Sequence, residues 1–142
     1  MRLLDVNVLL ANALECHEQH RAVRSWLRSH SGVPFATCAL TETSLLRLLM
    51  NPAINETPVD ADTGIELLRH LHAHPSHRYL GKLPPANDPA IACFLSRVHG
   101  YRQVTDAYLV GVAHANGGKL ATLDQKLAAL FGPDVLELIE LG

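Results

Sequence analysis

The sequence has no long apolar run, few cysteines and no excess of basic charge. No segment approaches the ~20 consecutive apolar residues of a membrane-spanning helix, and Asp5 comes too early for a secretory signal peptide. Three cysteines without a C-x-x-C pair, Cys16, Cys38 and Cys93, fit a reducing interior better than a disulfide framework. A formal net charge of −2 lacks the basic excess of many nucleic-acid-binding proteins. We therefore expect a soluble cytoplasmic protein with three buried thiols.

The 142 residues, 48% of them hydrophobic, predict a single domain spanning 1–142. A chain of this length buries roughly 68% of its unfolded surface, which is enough for one core. Apolar strand segments alternate with helical periodicity and no hairpin signal occurs, so we predict an α/β/α sandwich with a mostly parallel sheet. The predicted strands are 2–6, 33–37, 119–123 and 135–139, and the predicted helices are 7–14, 18–30, 41–50, 58–71, 90–98, 104–115 and 125–130.

Two segments carry clusters of basic side chains. Thr57 is the expected N-cap of a helix that begins at Pro58, and that helix ends in the histidine-rich stretch 70–77. Because alternate histidines at a frayed helix end do not form a defined tetrahedral site, we expect no zinc there. Helix 18–30 carries a stripe of three arginines, for which a solvated face is favoured over a phosphate-contacting or partner-binding surface: Arg21, Arg24 and Arg28.

Four acidic residues follow predicted strands or begin the helices that leave them. Asp5 and Asp124 end two apolar strand segments, and Glu42 lies just beyond a third. Asp106 lies in the first turn of helix 104–115, where Thr105 is the predicted N-cap and a simple helix-dipole contact is the alternative role for the acid. Since the functional crevice of an open parallel sheet lies beyond the carboxyl ends of its strands, we expect the four acids to converge.

Such a cluster of carboxylates predicts a divalent cation. Acids that close together repel unless a cation or raised pKa values relieve them, and oxygen ligands without paired histidine or cysteine favour Mg²⁺ or Mn²⁺. A bound ion of this kind activates water for hydrolysis of a phosphodiester. Asp5 and Asp106 are predicted as direct ligands, and Glu42 and Asp124 as a further ligand or the base that orients the water. Three nearby polar residues are candidates for hydrogen bonds to the carboxylates or metal-bound waters, with ordinary turn and capping roles as the alternative: Asn7, Thr105 and Thr122.

The same residues carry a resemblance to a known family. The chain resembles PIN-domain ribonuclease toxins of the VapC type through successive motifs in the family's order. These are Asp5-Val6-Asn7-Val8-Leu9-Leu10, Thr41-Glu42 followed by Leu46-Arg47-Leu48-Leu49 and Asn51-Pro52, Thr105-Asp106-Ala107-Tyr108-Leu109, and Leu120-Ala121-Thr122-Leu123-Asp124. The family's acidic quartet falls on Asp5, Glu42, Asp106 and Asp124. Arg47 matches a position that the family often fills with arginine, where phosphate contact and a structural ion pair are both open.

The resemblance also implies an activity and partners. It implies an Mg²⁺- or Mn²⁺-dependent endoribonuclease that inhibits translation by cutting structured RNA such as tRNA or rRNA. It further implies a homodimer neutralised by a VapB-type antitoxin, with no membrane association and no contact of the toxin itself with DNA.

Other functions fit the acids less well. A haloacid-dehalogenase-like phosphatase needs a second acid two residues after Asp5, where this chain has Asn7. A phosphoacceptor receiver domain needs an acidic neighbour for Asp5 and a lysine at a late strand end, whereas Lys119 begins its strand. A non-catalytic module that binds RNA or a partner is disfavoured because four clustered acids repel RNA unless a metal intervenes.

Overall fold

The computed structural model describes all 142 residues as five strands and seven α-helices. The strands are β1 (Arg2–Leu4), β2 (Phe35–Cys38), β3 (His77–Leu80), β4 (Lys119–Thr122) and β5 (Leu136–Leu138). The helices are α1 (Val6–Ala13), α2 (His20–Ser29), α3 (Ala39–Leu49), α4 (Ala61–His72), α5 (Pro89–Leu95), α6 (Val104–Ala115) and α7 (Gln125–Phe131), with a 3-10 turn at Tyr101–Gln103 before α6. None of these helices combines the length and apolar character needed to cross a membrane.

All strands are parallel, in the order β3-β2-β1-β4-β5. Leu3 of β1 pairs with Ala36 on one side and Leu120 on the other. Parallel neighbours need crossover connections, which the helices supply. The order runs outward from β1 to β3 on one side and from β4 to β5 on the other, so the direction of winding changes between β1 and β4. Ligand crevices form at such a point in open α/β sheets.

The two faces of the sheet bury separate apolar clusters. Leu3 and Leu120 point to a cluster shared with α5, α6 and α7, whereas Leu4 and Ala121 point to one shared with α1, α2 and α3. Successive strand residues alternate between faces, and full burial of a leucine such as Leu3 contributes about 1.5–3 kcal/mol. Helices on both faces confirm the predicted α/β/α sandwich.

The region before and within β3 differs from the prediction. Helix α4 begins at Ala61 rather than at Pro58, because the side chain of Asp60 accepts a hydrogen bond from the Thr63 amide at 2.8 Å and serves as the N-cap. Thr57 therefore does not cap it. The histidine-rich stretch is not wholly a frayed helix end either, since His77 begins an edge strand that pairs with β2.

Two further local predictions are wrong. Helix α6 begins at Val104 after Gln103, so Thr105 lies inside the first turn and is not the N-cap. Of the cysteines, only Cys38 is buried. Cys16 lies in the exposed connection after α1, and Cys93 lies on the solvent side of α5.

Candidate active site

Asp5 lies at the carboxyl end of β1 and is only 3% exposed. Its backbone is extended, so it caps α1 and accepts a hydrogen bond from the Val6 amide at 2.7 Å. Thr122 Oγ1 donates to Asp5 Oδ2 at 2.6 Å and Asn7 Nδ2 donates to the same oxygen at 3.0 Å. Three donors therefore hold this carboxylate in one orientation.

Asn7 and Thr122 also tie the ends of β1 and β4 together. Asn7 Nδ2 donates to Thr122 Oγ1 at 3.1 Å, and Asn7 Oδ1 accepts from the Leu123 amide at 3.2 Å. The Asp124 amide donates to Thr122 Oγ1 at 3.1 Å, and Asp124 Oδ1 caps α7 by accepting from the Leu127 amide at 3.0 Å. The network sets the positions of two strand-end acids relative to each other across the point where the winding changes.

Asp106 is the third acid at this edge. It lies in the first turn of α6, is partly buried, and has no hydrogen bond to its carboxylate. Burial raises the pKa of Asp106 to about 6, and the negative charges of Asp5 and Asp124 act in the same direction. Burial also raises the pKa of Asp5, against the effect of its hydrogen bonds and together with the charge of Asp124. The three aspartates thus lie in one electrostatic field.

The three carboxylates retain oxygen lone pairs suited to a hard cation. Neither oxygen of Asp106 accepts a hydrogen bond, and only Oδ1 of Asp124 does. Asp5 presents Oδ1 with a single donor, the Val6 amide. Mg²⁺ and Mn²⁺ bind through carboxylate oxygens and retained waters, and a cation would offset the negative charge that adds to burial in raising the pKa values of Asp5 and Asp106. The donor set therefore fits such an ion, and the three side chains must close around it, because their ligand oxygens do not all lie within 4.8 Å of one another.

Glu42, the fourth predicted acid, faces a different set of partners. Its Oε1 accepts a hydrogen bond from Thr37 Oγ1 at 2.6 Å and contacts His72 Nε2. His77 Nε2 in turn lies 2.8 Å from Thr37 Oγ1. Glu42 does not contribute to the raised pKa of Asp5 or Asp106. The structure therefore brings three of the four acids into one field and places Glu42 with two histidines.

The remaining candidates lie on the surface. Thr105 and Arg47 are exposed, and none of the ion pairs in the molecule involves Arg47. The structure thus shows no ion pair for Arg47. Sequence reasoning missed Thr37, His72 and His77 as partners of Glu42. The histidine-rich stretch was the available signal, but nothing in it marks the strand that brings His77 next to β2.

A cavity of about 530 Å³ is separate from the acids. It is lined in part by Trp26, Phe35 and Leu71, together with Arg24 and Arg28. None of the four predicted acids lines it.

The chain matches a known protein family over a span that includes the candidate site. A family model described as the PIN domain matches residues 2–131, a span that contains all four predicted acids. The chain is 38% identical over 137 residues to Ribonuclease VapC29 of Mycobacterium tuberculosis, covering 96% of this chain and 95% of that protein. It is 35% identical over 124 residues to Ribonuclease VapC38 of the same organism, covering 87% and 85% respectively.

Solved structures share the fold at low sequence identity. Mycobacterium tuberculosis VapC20, described as a sarcin-ricin loop cleaving toxin, matches with a TM-score of 0.66 and 12% identity over 95% of this chain and 98% of that one. A chain of a toxin-antitoxin complex from Klebsiella pneumoniae matches with a TM-score of 0.63 and 15% identity over 99% and 98%. The resemblance drawn from the sequence motifs is confirmed.

Proposed function

The chain belongs to the PIN-domain family as a VapC-type endoribonuclease toxin of a toxin–antitoxin system, and we propose that it hydrolyses RNA with a divalent cation held by Asp5, Asp106 and Asp124. The observation that carries this proposal is the common field of these three acids at the carboxyl ends of β1 and β4 and the start of α6. A set of carboxylate ligands, two of them with raised pKa values, Asp5 and Asp106, is the expected environment for such a cation.

Mg²⁺ or Mn²⁺ is the proposed ion, and Asp5 and Asp106 would bind it in different ways. When bound, such an ion lowers the pKa of water and offsets the charge that grows on the phosphoryl oxygens. Asp5 is the rigid ligand, because Val6, Asn7 and Thr122 orient it. Asp106 is the adaptable one, since no donor constrains its carboxylate.

Glu42 is proposed as the fourth acid of the site. In this structure its Oε1 contacts Thr37 and His72, whereas its Oε2 accepts no hydrogen bond. The exposed side chains of Arg47 and Thr105 are proposed to contact the RNA, Arg47 through a phosphate, because no ion pair occupies its guanidinium group.

The proposed substrate is a structured RNA, tRNA or rRNA, whose cleavage inhibits translation in the cytoplasm. The description of VapC20 as a sarcin-ricin loop cleaving toxin supports an RNA of this class. The proposed partners are a second copy of the chain, as the family resemblance implies, and a VapB-type antitoxin, which the toxin-antitoxin complex among the structural neighbours supports.

The phosphatase alternative is weakened by the position of Asn7. A haloacid-dehalogenase-like enzyme would use an acid at this position, but here the Asn7 amide donates to Asp5 and its oxygen accepts from the Leu123 amide. Asn7 therefore acts as a structural link between two strand ends. The match to the PIN family over residues 2–131 points in the same direction.

The test is cleavage of isolated tRNA and rRNA by protein purified free of antitoxin. Wild type and the exposed control Asp134→Asn should cut with Mg²⁺ or Mn²⁺ and stop with EDTA. Asp5→Asn and Asp106→Asn should each lose at least about tenfold in rate, as is typical when a metal site is disturbed. Asp106→Asn removes no hydrogen bond, so its loss of activity cannot come from misfolding of the network around Asp5. Equal cutting by all four proteins would overturn the proposal. Sequencing the 5′ ends of the products would identify the RNA and the cleavage position.

A further inference from the structure

Three elements that are distant in the sequence bring Glu42, His72 and His77 together. Glu42 lies in the early part of α3, His72 is the last residue of α4, and His77 is the first residue of β3. One ligand atom from each, a carboxylate oxygen and two imidazole nitrogens, lies within 4.8 Å of the other two. No other group of three acidic, histidine or cysteine side chains in the molecule meets this condition.

Polar contacts and ring packing hold the group in place. Thr37 Oγ1 donates to Glu42 at 2.6 Å and lies 2.8 Å from His77 Nε2, while His72 Nε2 contacts Glu42 Oε1. The His72 and His77 rings lie with centroids 4.4 Å apart at an interplanar angle of 30°. Tyr79 packs beside His72 with its ring centroid 5.5 Å away. The three ligand groups therefore converge through side chains from β2, α3, α4 and β3.

The donor set is that of a transition metal and differs from that of the aspartates. Imidazole nitrogen suits zinc and its first-row neighbours, whereas carboxylate-only sites suit Mg²⁺ and Mn²⁺. Two histidines and one glutamate also match the ligands of open zinc sites, in which water occupies the fourth position. The His72 side chain is 40% exposed and that of Glu42 is 13% exposed, so solvent reaches the group from one side.

We propose that Glu42, His72 and His77 form a binding site for Zn²⁺ or a chemically similar first-row cation, which uses none of the three aspartates as a ligand. Ligand atoms around a tetrahedral zinc ion lie about 3.3 Å apart, given Zn–N distances of about 2.0–2.1 Å. From within 4.8 Å of one another the three atoms need to close by only about 1.5 Å at most. The exposed ring of His72, at the end of its helix, is the part that moves.

The two proposed metal sites share Glu42. If Glu42 completes the aspartate site during catalysis, a zinc ion bound with His72 and His77 holds it away and reduces RNA cleavage. This consequence rests on the proposed function, but zinc binding itself does not. The two statements can therefore fail independently, and the test uses a readout of binding.

The experiment measures metal binding by the full chain, purified without a polyhistidine tag, stripped with EDTA and dialysed into excess Mg²⁺ to occupy the aspartates. Zn²⁺ affinity is measured by competition with a chromophoric chelator, and Co²⁺ serves as a visible-absorption probe. The variants are His72→Ala and His77→Gln, with His70→Ala as the matched control because His70 lies on α4 but outside the group. Asp5→Asn/Asp106→Asn tests independence from the aspartates. A thermal melt of each protein confirms that it is folded.

We expect one Zn²⁺ per chain and a Co²⁺ absorption band in wild type, His70→Ala and Asp5→Asn/Asp106→Asn. His72→Ala and His77→Gln should weaken Zn²⁺ binding by at least about tenfold and remove the band, since disturbing even the groups around metal ligands commonly costs 10–100-fold. The proposal is overturned if wild type binds no Zn²⁺ in excess Mg²⁺, if His70→Ala loses as much affinity as His72→Ala, or if the aspartate variant loses the site.

Discussion

Replacing Asp106 with asparagine should stabilise the metal-free protein at neutral and alkaline pH. The carboxylate has a pKa of about 6 in the folded chain, because of burial and the charges of Asp5 and Asp124, against 3.8 as its ordinary value. Ionisation is therefore easier in the unfolded chain. The stability linked to this group is fully present below pH 3.8 and is lost as the pH rises through about 6.

The size of the effect follows from the shift. Two pKa units at 1.36 kcal/mol each correspond to about 3 kcal/mol at pH 8. Asp106 is only partly buried and lies near the favourable N-terminus of α6, so screening and the helix dipole reduce this to about 1–2 kcal/mol. For a chain of this size that corresponds to a rise in Tm of about 4–8 °C.

The assay is urea unfolding in EDTA at pH 8, 6.5, 5 and 4 for wild type and Asp106→Asn. Asp134→Asn, at an exposed position, is the control for removing one negative charge from the chain. At pH 5 the gain of Asp106→Asn over wild type should be about half of the gain at pH 8, and at pH 4 about a fifth of it. A loss of stability at pH 8, or a gain that does not change with pH, would refute the account of the shared acidic field.

Two other substitutions test the packing around the strand ends and the far edge of the sheet. Thr122→Val removes the hydroxyl that donates to Asp5 at 2.6 Å and should lower the free energy of unfolding by about 1–3 kcal/mol. Thr122→Ser keeps the hydroxyl and should retain most of the wild-type stability. An unchanged urea midpoint for Thr122→Val would contradict this. At Glu137, burial acts to raise the pKa, but hydrogen bonds from Arg2 and Trp26 outweigh it and lower the pKa below 4.5. The stability that ionised Glu137 contributes is therefore present above pH 4.5 and is lost as the pH falls through its lowered pKa in the folded chain. Glu137→Gln should cost about 1 kcal/mol at pH 7 and less at pH 3. Thermal melts that show an equal loss of stability at both pH values would refute this.

The sheet and the placement of Asp5 and Asp124 at the ends of its strands were predictable because both follow from strong local patterns. Buried segments such as Leu120-Ala121-Thr122 are typical of strands without any tertiary information. In parallel strands the acid after each segment must lie at the same edge of the sheet. The common edge of Asp5 and Asp124 therefore follows from the amino-acid sequence, whereas the pairing of β1 with β4 that makes them neighbours is seen only in the structure.

The edge strand β3 could not be found in the same way. Its residues His77–Leu80 are half-buried or exposed, so the segment lacks the apolar run that marks a central strand. Because β3 was not predicted, there was no reason in the sequence to place His77 next to Thr37. The aspartates were then the only partners that the sequence suggested for Glu42. The N-cap of α4 was also not predictable, because aspartate and threonine are both common N-cap residues. Only the hydrogen bond from the Thr63 amide to Asp60 identifies Asp60, and not Thr57, as the cap.

The most direct test of the central proposal is a titration of Mn²⁺ followed by electron paramagnetic resonance of the free ion. Wild type should take up Mn²⁺, and Asp5→Asn, Asp106→Asn and Asp124→Asn should each weaken uptake by at least about tenfold, with Asp134→Asn unchanged. Uptake by all three site variants at wild-type affinity, or no uptake by wild type, would contradict a cation held between the ends of β1 and β4 and the start of α6.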